Sequence, residues 1–374
     1  MIRRLVLLGT LAVLLAVGAW IGQSQRATWT SSDARIGQKL LAGLKLEDVA
    51  EVVVQEPKAT LTLVRRDGAW RVQQRADFPA DADRVRELLL KLIELKIVQT
   101  ETVTESQRAR LLLLEPGAEI GAGVLFELKN SAGTQLARLL LGKAATMRFA
   151  DAAPAPEAGV PSGRYVMSGG EVASAVLVSD PLAQAKAQPE AWLAKELIRV
   201  ERVKSISTAG HDGRQRFSVA RDTEVSEWKL AGGGKPDGGK VQDAVSALLT
   251  MSLADVVADP AKADSGLDHP MLVKVQTFDD VVYTLKIGAK AAGERYYLAL
   301  SVAGDPAKAR APVSGESTEE KEKQDRSFAE RRTKLQEKLD REKTLERWTY
   351  LVSAASLEPL LRERVKFLPE KAAK

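Results

Sequence analysis

The stretch RDGAWRVQQRADFPADADRVRELLLKLIEL at residues 66–95 contains the pattern that decides the fold. A short strand-like run around Trp70 leads into a Pro-containing turn, and Asp81 then stands where a helix N-cap is expected. The run that follows predicts an amphipathic helix packed on a sheet. Its apolar side chains recur every three or four residues, at Val85, Leu88, Leu89, Leu92 and Leu95.

A second stretch, RDTEVSEWKLAGGGKPDGGKVQDAVSALLTMSL at residues 221–253, repeats the same order of features. Asp237 takes the place of Asp81, and Val241 opens the apolar stripe of this second copy. Short β-like runs separated by turn residues surround both stretches, which is typical of antiparallel strands. The sequence therefore predicts an α+β fold, a tandem repeat of two mainly antiparallel β-sheet domains that each carry one packed amphipathic helix.

The patterns outside these two stretches divide the chain further. Repeats of the predicted length are of normal domain size. The predicted segments are an N-terminal transmembrane anchor (1–25), a juxtamembrane helix or linker (26–46), the first α+β repeat (47–182), a linker helix (183–200), and the second α+β repeat (201–370) with a charged helical insertion (304–346).

The N-terminus has the features of a membrane anchor. From Leu5 to Gly22 the chain has no charged residue, and at 1.5 Å per residue this run is ~27 Å long, enough to cross a hydrocarbon core. Arg3 and Arg4 precede it and predict a cytoplasmic N-terminus, whereas Trp20 suits the far headgroup interface. We therefore predict a single-pass protein of the bacterial inner membrane with its bulk in the periplasm.

A cleaved signal peptide is the alternative for this segment. Val17 and Ala19 would then occupy the small-residue positions before the cleavage site. We favour the uncleaved anchor, because the apolar run is longer than the usual apolar region of a signal peptide.

The second copy contains a long insertion, Gly304–Glu346, that is dominated by charged residues. From Ser317 onward, acidic and basic side chains stand in the i, i+4 order that stabilises a helix. Phe328, Leu335 and Leu339 form a sparse apolar seam along it. The insertion predicts a long charged helix, which is either solvated on its own or an arm that binds a partner.

The turn of the second stretch resembles a phosphate-binding loop. Gly234, Gly239 and Lys240 satisfy the spacing G-x-x-x-x-G-K between a predicted strand and a predicted helix. Val241, however, replaces the Ser or Thr that binds Mg²⁺, and the first stretch has neither the glycines nor the lysine. A P-loop also belongs on a parallel sheet, whereas these short strands predict antiparallel pairing. We therefore interpret the glycines as turn residues.

Residues that commonly catalyse reactions or hold metals are scarce. The chain has no cysteine, and its two histidines, His211 and His269, both lie beside turn residues. Their spacing predicts neither a zinc site nor a Ser-His-Asp triad. The net charge of +5 is spread along the chain, which gives little support for nucleic-acid binding. We predict no catalytic residue, no metal, no cofactor and no nucleic-acid partner.

The tryptophans beyond the N-terminal segment follow the repeat. Trp70 corresponds to Trp228, whereas Trp192 and Trp348 stand near the ends of the two copies. We predict that each packs a helix on a sheet rather than forming a stacking platform for a ligand.

Several of these features resemble a known family. They are the N-terminal span, the Trp before the FPAD turn (78–81), GLDHP (266–270) before a strand, and a strand ending in Ile287-Gly288 before ERYYL. Uncharacterised membrane-anchored bacterial proteins with a domain of unknown function are similar, and they are commonly encoded beside gliding-motility-type ABC transporter subunits. The first copy departs from the pattern, with LLEPGAEI where GLDHP would stand. The resemblance implies an extracytoplasmic accessory to an ABC-type membrane complex, and it supplies no catalytic residues.

The sequence and the resemblance together favour a protein that is not an enzyme. We expect a membrane-anchored extracytoplasmic binding or scaffold subunit, with the inner membrane and ABC transporter subunits as its partners. The alternative is a periplasmic solute- or polymer-binding protein that uses the cleft between the repeats. A hydrolase of envelope polymers is the third hypothesis.

Overall fold

The structure is a computed structural model that describes residues 34–147, 160–169, 174–310 and 315–369. Within these residues the chain forms two large sheets, a two-stranded sheet and five α-helices, so the prediction of an α+β fold is confirmed. The helices are α1 (Ala82–Glu94), α2 (Glu105–Arg110), α3 (Gly238–Leu249), α4 (Thr318–Thr344) and α5 (Ala354–Leu361).

The first sheet contains nine strands in the described part of the chain. They are β1 (Glu51–Glu56), β2 (Ala59–Arg66), β3 (Ala69–Val72), β4 (Phe78–Pro79), β5 (Ile97–Thr102), β6 (Val124–Lys129), β7 (Gln135–Met147), β8 (Val160–Ser168) and β9 (Ser174–Val178). From edge to edge they lie in the order β4-β3-β2-β1-β6-β7-β8-β9-β5. Neighbours such as β1 and β6, or β7 and β8, run antiparallel.

The second sheet contains eight strands among the described residues, and two further strands, β10 and β14, form the two-stranded sheet. In chain order these strands are β10 (Glu196–Ile198), β11 (Val203–Ala209), β12 (Gln215–Ala220), β13 (Lys229–Leu230), β14 (Met251–Ser252), β15 (Asp255–Val256), β16 (Met271–Thr277), β17 (Val281–Ala291), β18 (Arg295–Gly304) and β19 (Tyr350–Ser353). The order across the second sheet is β13-β12-β11-β16-β17-β18-β19-β15, and its strands also pair antiparallel.

The strand orders of the two sheets correspond. Strands β3, β2 and β1 occupy the places of β13, β12 and β11, and β6 to β9 occupy those of β16 to β19. After the amphipathic helix, a strand returns to the far edge in each sheet, where β5 pairs with β9 and β15 with β19. The antiparallel sheets that the sequence predicts are therefore confirmed, and they share one topology.

Both amphipathic helices begin at an Asp N-cap, as the sequence predicts. The Asp81 carboxylate accepts hydrogen bonds of 3.1 Å from the backbone N–H groups of Asp83 and Arg84. Asp237 caps α3 in the same way, with bonds of 2.8 and 3.2 Å to the first turn. These bonds satisfy donors that a first helical turn leaves without partners, so they fix where each helix starts.

The two helices bury their apolar stripes to different extents. The whole predicted stripe of the first copy is buried, from Val85 to Leu92 in α1 and at Leu95 directly after it. In α3, Val241 and Leu248 are buried, but Leu249 is 36% exposed. The small side chain of Ala244 is buried instead, so α3 buries a narrower apolar stripe than α1 does.

The chain divides into two compact units. Of the described residues, those within 34–60 and 86–187 belong to the first unit, and those within 61–85 and 188–369 belong to the second. Large buried side chains mark the interior of each unit, such as Phe126 in the first and Tyr283 in the second. The second unit therefore includes the segment with the FPAD turn as well as the second sheet.

Residues 34–43 form turns, in which Gly37 and Gly43 adopt positive φ angles of 83° and 92°, so this part of the predicted juxtamembrane helix or linker has the linker structure. The predicted linker helix at 183–200 contains instead a 3-10 turn, Pro189–Trp192, followed by β10. A proline pushes the residue before it towards extended backbone, so a helix cannot run through this point.

The predicted membrane-anchor residues Arg3, Arg4, Leu5 and Trp20 lie outside the described residues. Among the residues that the structure does describe, no helix combines the length and the apolar character needed to cross a membrane.

Candidate functional site: a cationic cleft beside the charged helix

Helix α4 is the charged helix that the insertion predicts. It begins at a capping box, in which the Ser317 hydroxyl accepts from the Glu320 N–H and the Glu320 carboxylate accepts from the Ser317 N–H. Glu319 lies in its first turn and Arg341 in its last, as the helix dipole favours. Capping and charge placement therefore explain why so polar a segment is helical over 27 residues.

One face of α4 packs on the second unit. Leu339 is fully buried and Glu342 is 2% exposed, whereas Phe328 and Leu335 are half-buried and line a cleft. The predicted seam therefore holds the helix on its own unit. A partner of α4 would meet the opposite, charged face.

The cleft has a volume of about 560 Å³ and lies between α4 and the second sheet. Its other walls are the turn between β16 and β17, the start of β11 and the segment that follows β18. Sites for small molecules commonly occupy ~300–1,000 Å³. The cleft is therefore large enough for a small organic ligand, and apolar side chains such as Phe278 and Val281 form part of its wall.

A buried hydrogen bond connects this wall to α4. The Tyr283 hydroxyl donates to the Glu342 carboxylate over 2.8 Å, and the other carboxylate oxygen accepts from the Arg199 N–H over 3.5 Å. Burial and the nearby charge of Glu342 raise the pKa of Tyr283 far above its ordinary value. The pair fastens α4 to β17 and leaves Tyr283 protonated.

The raised pKa gives a prediction for alkaline pH. Above pH ~10 an unfolded tyrosine releases its proton whereas folded Tyr283 keeps it, so Tyr283 alone should lower the free energy of unfolding by about 1.4 kcal/mol per pH unit. The stability that depends on this group is thus present below pH ~10 and lost above it. Urea unfolding between pH 9 and 11 should show a shallower fall for Tyr283→Phe than for the unchanged protein.

The same titration offers a comparison within the second unit. Burial also raises the pKa of Tyr350, so Tyr350→Phe should reduce the alkaline fall in a similar way. Identical pH profiles for Tyr283→Phe and the unchanged protein would contradict the assignment.

Basic side chains outnumber acidic ones around the cleft. The acidic residues are Glu201, Asp279 and Asp280, and the basic residues are Arg202, Arg310, Arg331, Arg332, Lys334 and Lys338.

Part of the positive charge is already neutralised. Arg310 forms ion pairs of 2.7 and 3.1 Å with Glu316 and Asp325, and Arg202 pairs with Glu224 and Asp279. These pairs fasten the segments that enter α4 and β11.

Among the described residues, three cations of α4 have no carboxylate partner, and one of them, Arg332, donates a hydrogen bond of 3.5 Å to the Lys308 carbonyl. In the described parts of the chain, Arg331, Arg332 and Lys334 form no ion pair, and all three are exposed. The α4 side of the cleft therefore presents positive charge to solvent.

The loop that resembles a P-loop has a different geometry from a phosphate cradle. The Arg364 guanidinium donates to the carbonyls of Ala231, Gly232 and Gly233 over 2.9, 2.9 and 2.6 Å. The Asp237 carboxylate occupies the N–H groups of the first turn that a phosphate would use. The loop is a turn held by a cation, followed by a capped helix.

The two histidines lie close together in turns of the second unit. The His211 Nδ1 is 2.6 Å from the His269 carbonyl oxygen, and both residues are exposed. Across the described ranges, no group of three or more His, Asp or Glu side chains is placed to hold a metal ion. The His211 ring takes part in a contact between turns.

The four tryptophans of the described residues fall into two groups, one buried and one half-buried. Trp192 and Trp348 are buried, and the Trp348 ring meets Phe78 edge-on with centroids 4.9 Å apart. Trp70 and Trp228 are half-buried near sheet edges, and the Arg221 guanidinium lies 4.7 Å from the Trp228 ring centroid. Packing in the interior therefore explains Trp192 and Trp348, whereas Trp70 and Trp228 lie near the surface.

One polar cluster has no signal in the sequence. The Arg75 guanidinium donates to the Asp255 carboxylate over 2.6 and 3.1 Å and to Glu190 over 3.4 Å, all within the second unit. Arg75 and Asp255 are 180 residues apart, and nothing in their local sequences relates them. Because the charges satisfy one another, we assign this cluster a structural role.

The two sheets of shared topology, the capped amphipathic helices and the cleft beside α4 define an α+β protein with a candidate ligand site in its second unit. Residues 70–270 match a domain of unknown function, DUF4340, and this range is more than half of the chain's 374 residues. The chain therefore belongs to the DUF4340 family. Comparisons with curated proteins and with solved structures gave no match.

Proposed function

We propose that the protein is a membrane-anchored, extracytoplasmic binding or scaffold subunit of an ABC-type transporter-like complex. The observation that carries this proposal is the outward face of α4. Leu339 and Glu342 are the buried residues of the helix, and charged side chains dominate the rest. At 1.5 Å per residue, its 27 residues present a polar surface ~40 Å long. Such a surface suits a partner with complementary charges.

The N-terminal sequence supports the proposed location. The run from Leu5 to Gly22 has the length and apolar character of a membrane span, and Arg3 and Arg4 would keep its start in the cytoplasm. In this proposal, the bulk of the chain lies in the periplasm. The resemblance to proteins encoded beside ABC transporter subunits supports the choice of partner.

The tandem repeat belongs to the same proposal. The matching strand orders and the two Asp-capped helices support descent of both sheets from one duplicated domain. The solute- or polymer-binding alternative and the envelope hydrolase stay predictions.

Affinity capture of the full chain from detergent-solubilised membranes tests the partner. We expect an ABC transporter subunit to copurify with the unchanged protein. The variant Arg326→Glu with Arg341→Glu reverses two outward charges, and the amount of copurified subunit should fall at least about tenfold. The matched control is Arg214→Glu with Lys262→Glu, which makes the same charge change at exposed positions elsewhere in the second unit.

Two results would count against the scaffold. One is that no membrane protein copurifies with the unchanged chain. The other is that the control variant loses the partner as strongly as the α4 variant does.

A further inference from the structure

We propose that the cleft between α4 and the second sheet binds an organic anion that has an apolar body. This site uses the inward side of α4, whereas the proposed partner binds the outward side. The two proposals are therefore independent, and an experiment that contradicts one leaves the other unaffected.

The charges on the cleft wall indicate an anion. Arg202 and Arg310 are already neutralised by carboxylates, but within the described residues Arg331, Arg332 and Lys334 form no ion pair. Arginine presents a planar set of donors that matches phosphate and carboxylate groups in a bidentate manner. Arg331 and Arg332 both line the cleft, so a ligand with such a group would have guanidinium donors available from either residue.

The apolar part of the wall indicates that the ligand is more than an inorganic ion. The seam of α4 is fully covered at Leu339 but only half covered at Leu335 and Phe328, where it lines the cleft. Phe278 lies on the facing wall. An apolar ligand body placed there would remove these surfaces from water, which favours binding.

The remaining wall is suited to hold its shape while a ligand binds. Val281 and Tyr283 belong to β17 and are buried, and the Tyr283–Glu342 hydrogen bond joins that strand to α4. The ion pairs of Arg310 with Glu316 and Asp325 fasten the chain at the start of the helix. A preformed site of this kind loses little conformational freedom on binding.

The same ligand chemistry occurs in soluble aromatic phosphates and in the headgroup region of anionic lipids. The test therefore has two arms, both with the full chain in a nonionic detergent and with isothermal titration calorimetry. One arm uses phenyl phosphate, and the other uses dihexanoyl phosphatidylglycerol below its micelle concentration. Inorganic phosphate measures how much the apolar body contributes.

The decisive variant is Arg331→Gln with Arg332→Gln, which removes two exposed charges from the cleft wall. Its matched control, Arg214→Gln with Lys262→Gln, removes the same charge from exposed positions of the second unit outside the cleft. We expect phenyl phosphate, the lipid or both to bind the unchanged protein and the control equally. The cleft variant should bind at least about tenfold more weakly.

Binding in one arm only would support the site and show whether its ligand is a soluble aromatic phosphate or an anionic lipid. The proposal is overturned if neither organic anion binds, or if the control loses as much affinity as the cleft variant. Equal affinities for inorganic phosphate and phenyl phosphate would overturn the assignment of an apolar body.

Discussion

Replacing Gly288 with alanine should lower the free energy of unfolding by about 3 kcal/mol or more, the upper part of the range for overpacking. A Cβ atom at this position would overlap the carbonyl oxygen of Ser265. The Ala289 N–H donates to the same oxygen over 2.7 Å, which holds the segment before β16 against β17. Because the obstacle is backbone and not a flexible side chain, the clash can be relieved only if the chain shifts.

Urea unfolding of the full chain, followed by circular dichroism, measures this effect. Gly238→Ala is the matched control, because a Cβ there meets no atom within 4 Å and the residue begins α3. Alanine is the better helix former, so the control should be neutral or more stable by up to ~1 kcal/mol. If Gly288→Ala lowers the free energy of unfolding by less than ~1 kcal/mol, the segment that contains Ser265 can shift at little cost, which would contradict the prediction.

The first unit has the same arrangement at Gly142. A Cβ on Gly142 would overlap the Leu111 carbonyl oxygen, and the Lys143 N–H donates to that oxygen over 2.7 Å. In both sheets a glycine on a long strand thus lets a preceding segment cross at backbone distance. This shared crossing is the physical reason for a glycine at both positions.

The Glu342→Ala variant should lose about 2–4 kcal/mol of unfolding free energy. The substitution leaves the Tyr283 hydroxyl without its acceptor in a buried place and opens a cavity beneath α4. Glu342→Gln retains an acceptor and nearly the same volume, so it should lose less. Urea unfolding measures the loss, and limited proteolysis within Thr318–Thr344 shows whether the helix has come away from the sheet.

Glu337→Ala is the control for the loss of a carboxylate from the same helix. Glu337 is exposed, so its removal should change the stability by no more than ~0.5 kcal/mol. Equal stabilities for Glu342→Ala and Glu337→Ala would mean that the Tyr283–Glu342 bond does not fasten α4.

Local features of the sequence predicted much of the fold. Asp81 and Asp237 predict the helix starts because each carboxylate accepts hydrogen bonds from the first helical turn. The apolar residues after Asp81 predict which side chains are buried, because residues at helical spacing lie on one face of the helix. The charged insertion also predicted α4, since capping and i, i+4 charges act within a few residues.

Features that join distant segments could not be predicted in this way. The seam of α4 identified Phe328, Leu335 and Leu339 as interacting residues, but the surface that covers them belongs to the second unit itself. The cleft needs the turn between β16 and β17 beside α4, and local spacing does not encode that approach. The Arg75–Asp255 pair likewise depends on the tertiary fold.

The placement of β1 and β11 has a consequence for how the chain emerges from the ribosome. In its sheet β1 pairs with β6, Gln55 opposite Leu125, and β11 pairs with β16, Val203 opposite Thr277. The neighbour on the other side of each strand, β2 or β12, follows it directly in the chain, but the edge that pairs with β6 or β16 stays unpaired until that later strand has been synthesised. Such edges recruit other chains. We therefore expect chaperones to bind the newly synthesised chain at two stages, first while the edge of β1 is unpaired and again while the edge of β11 is unpaired.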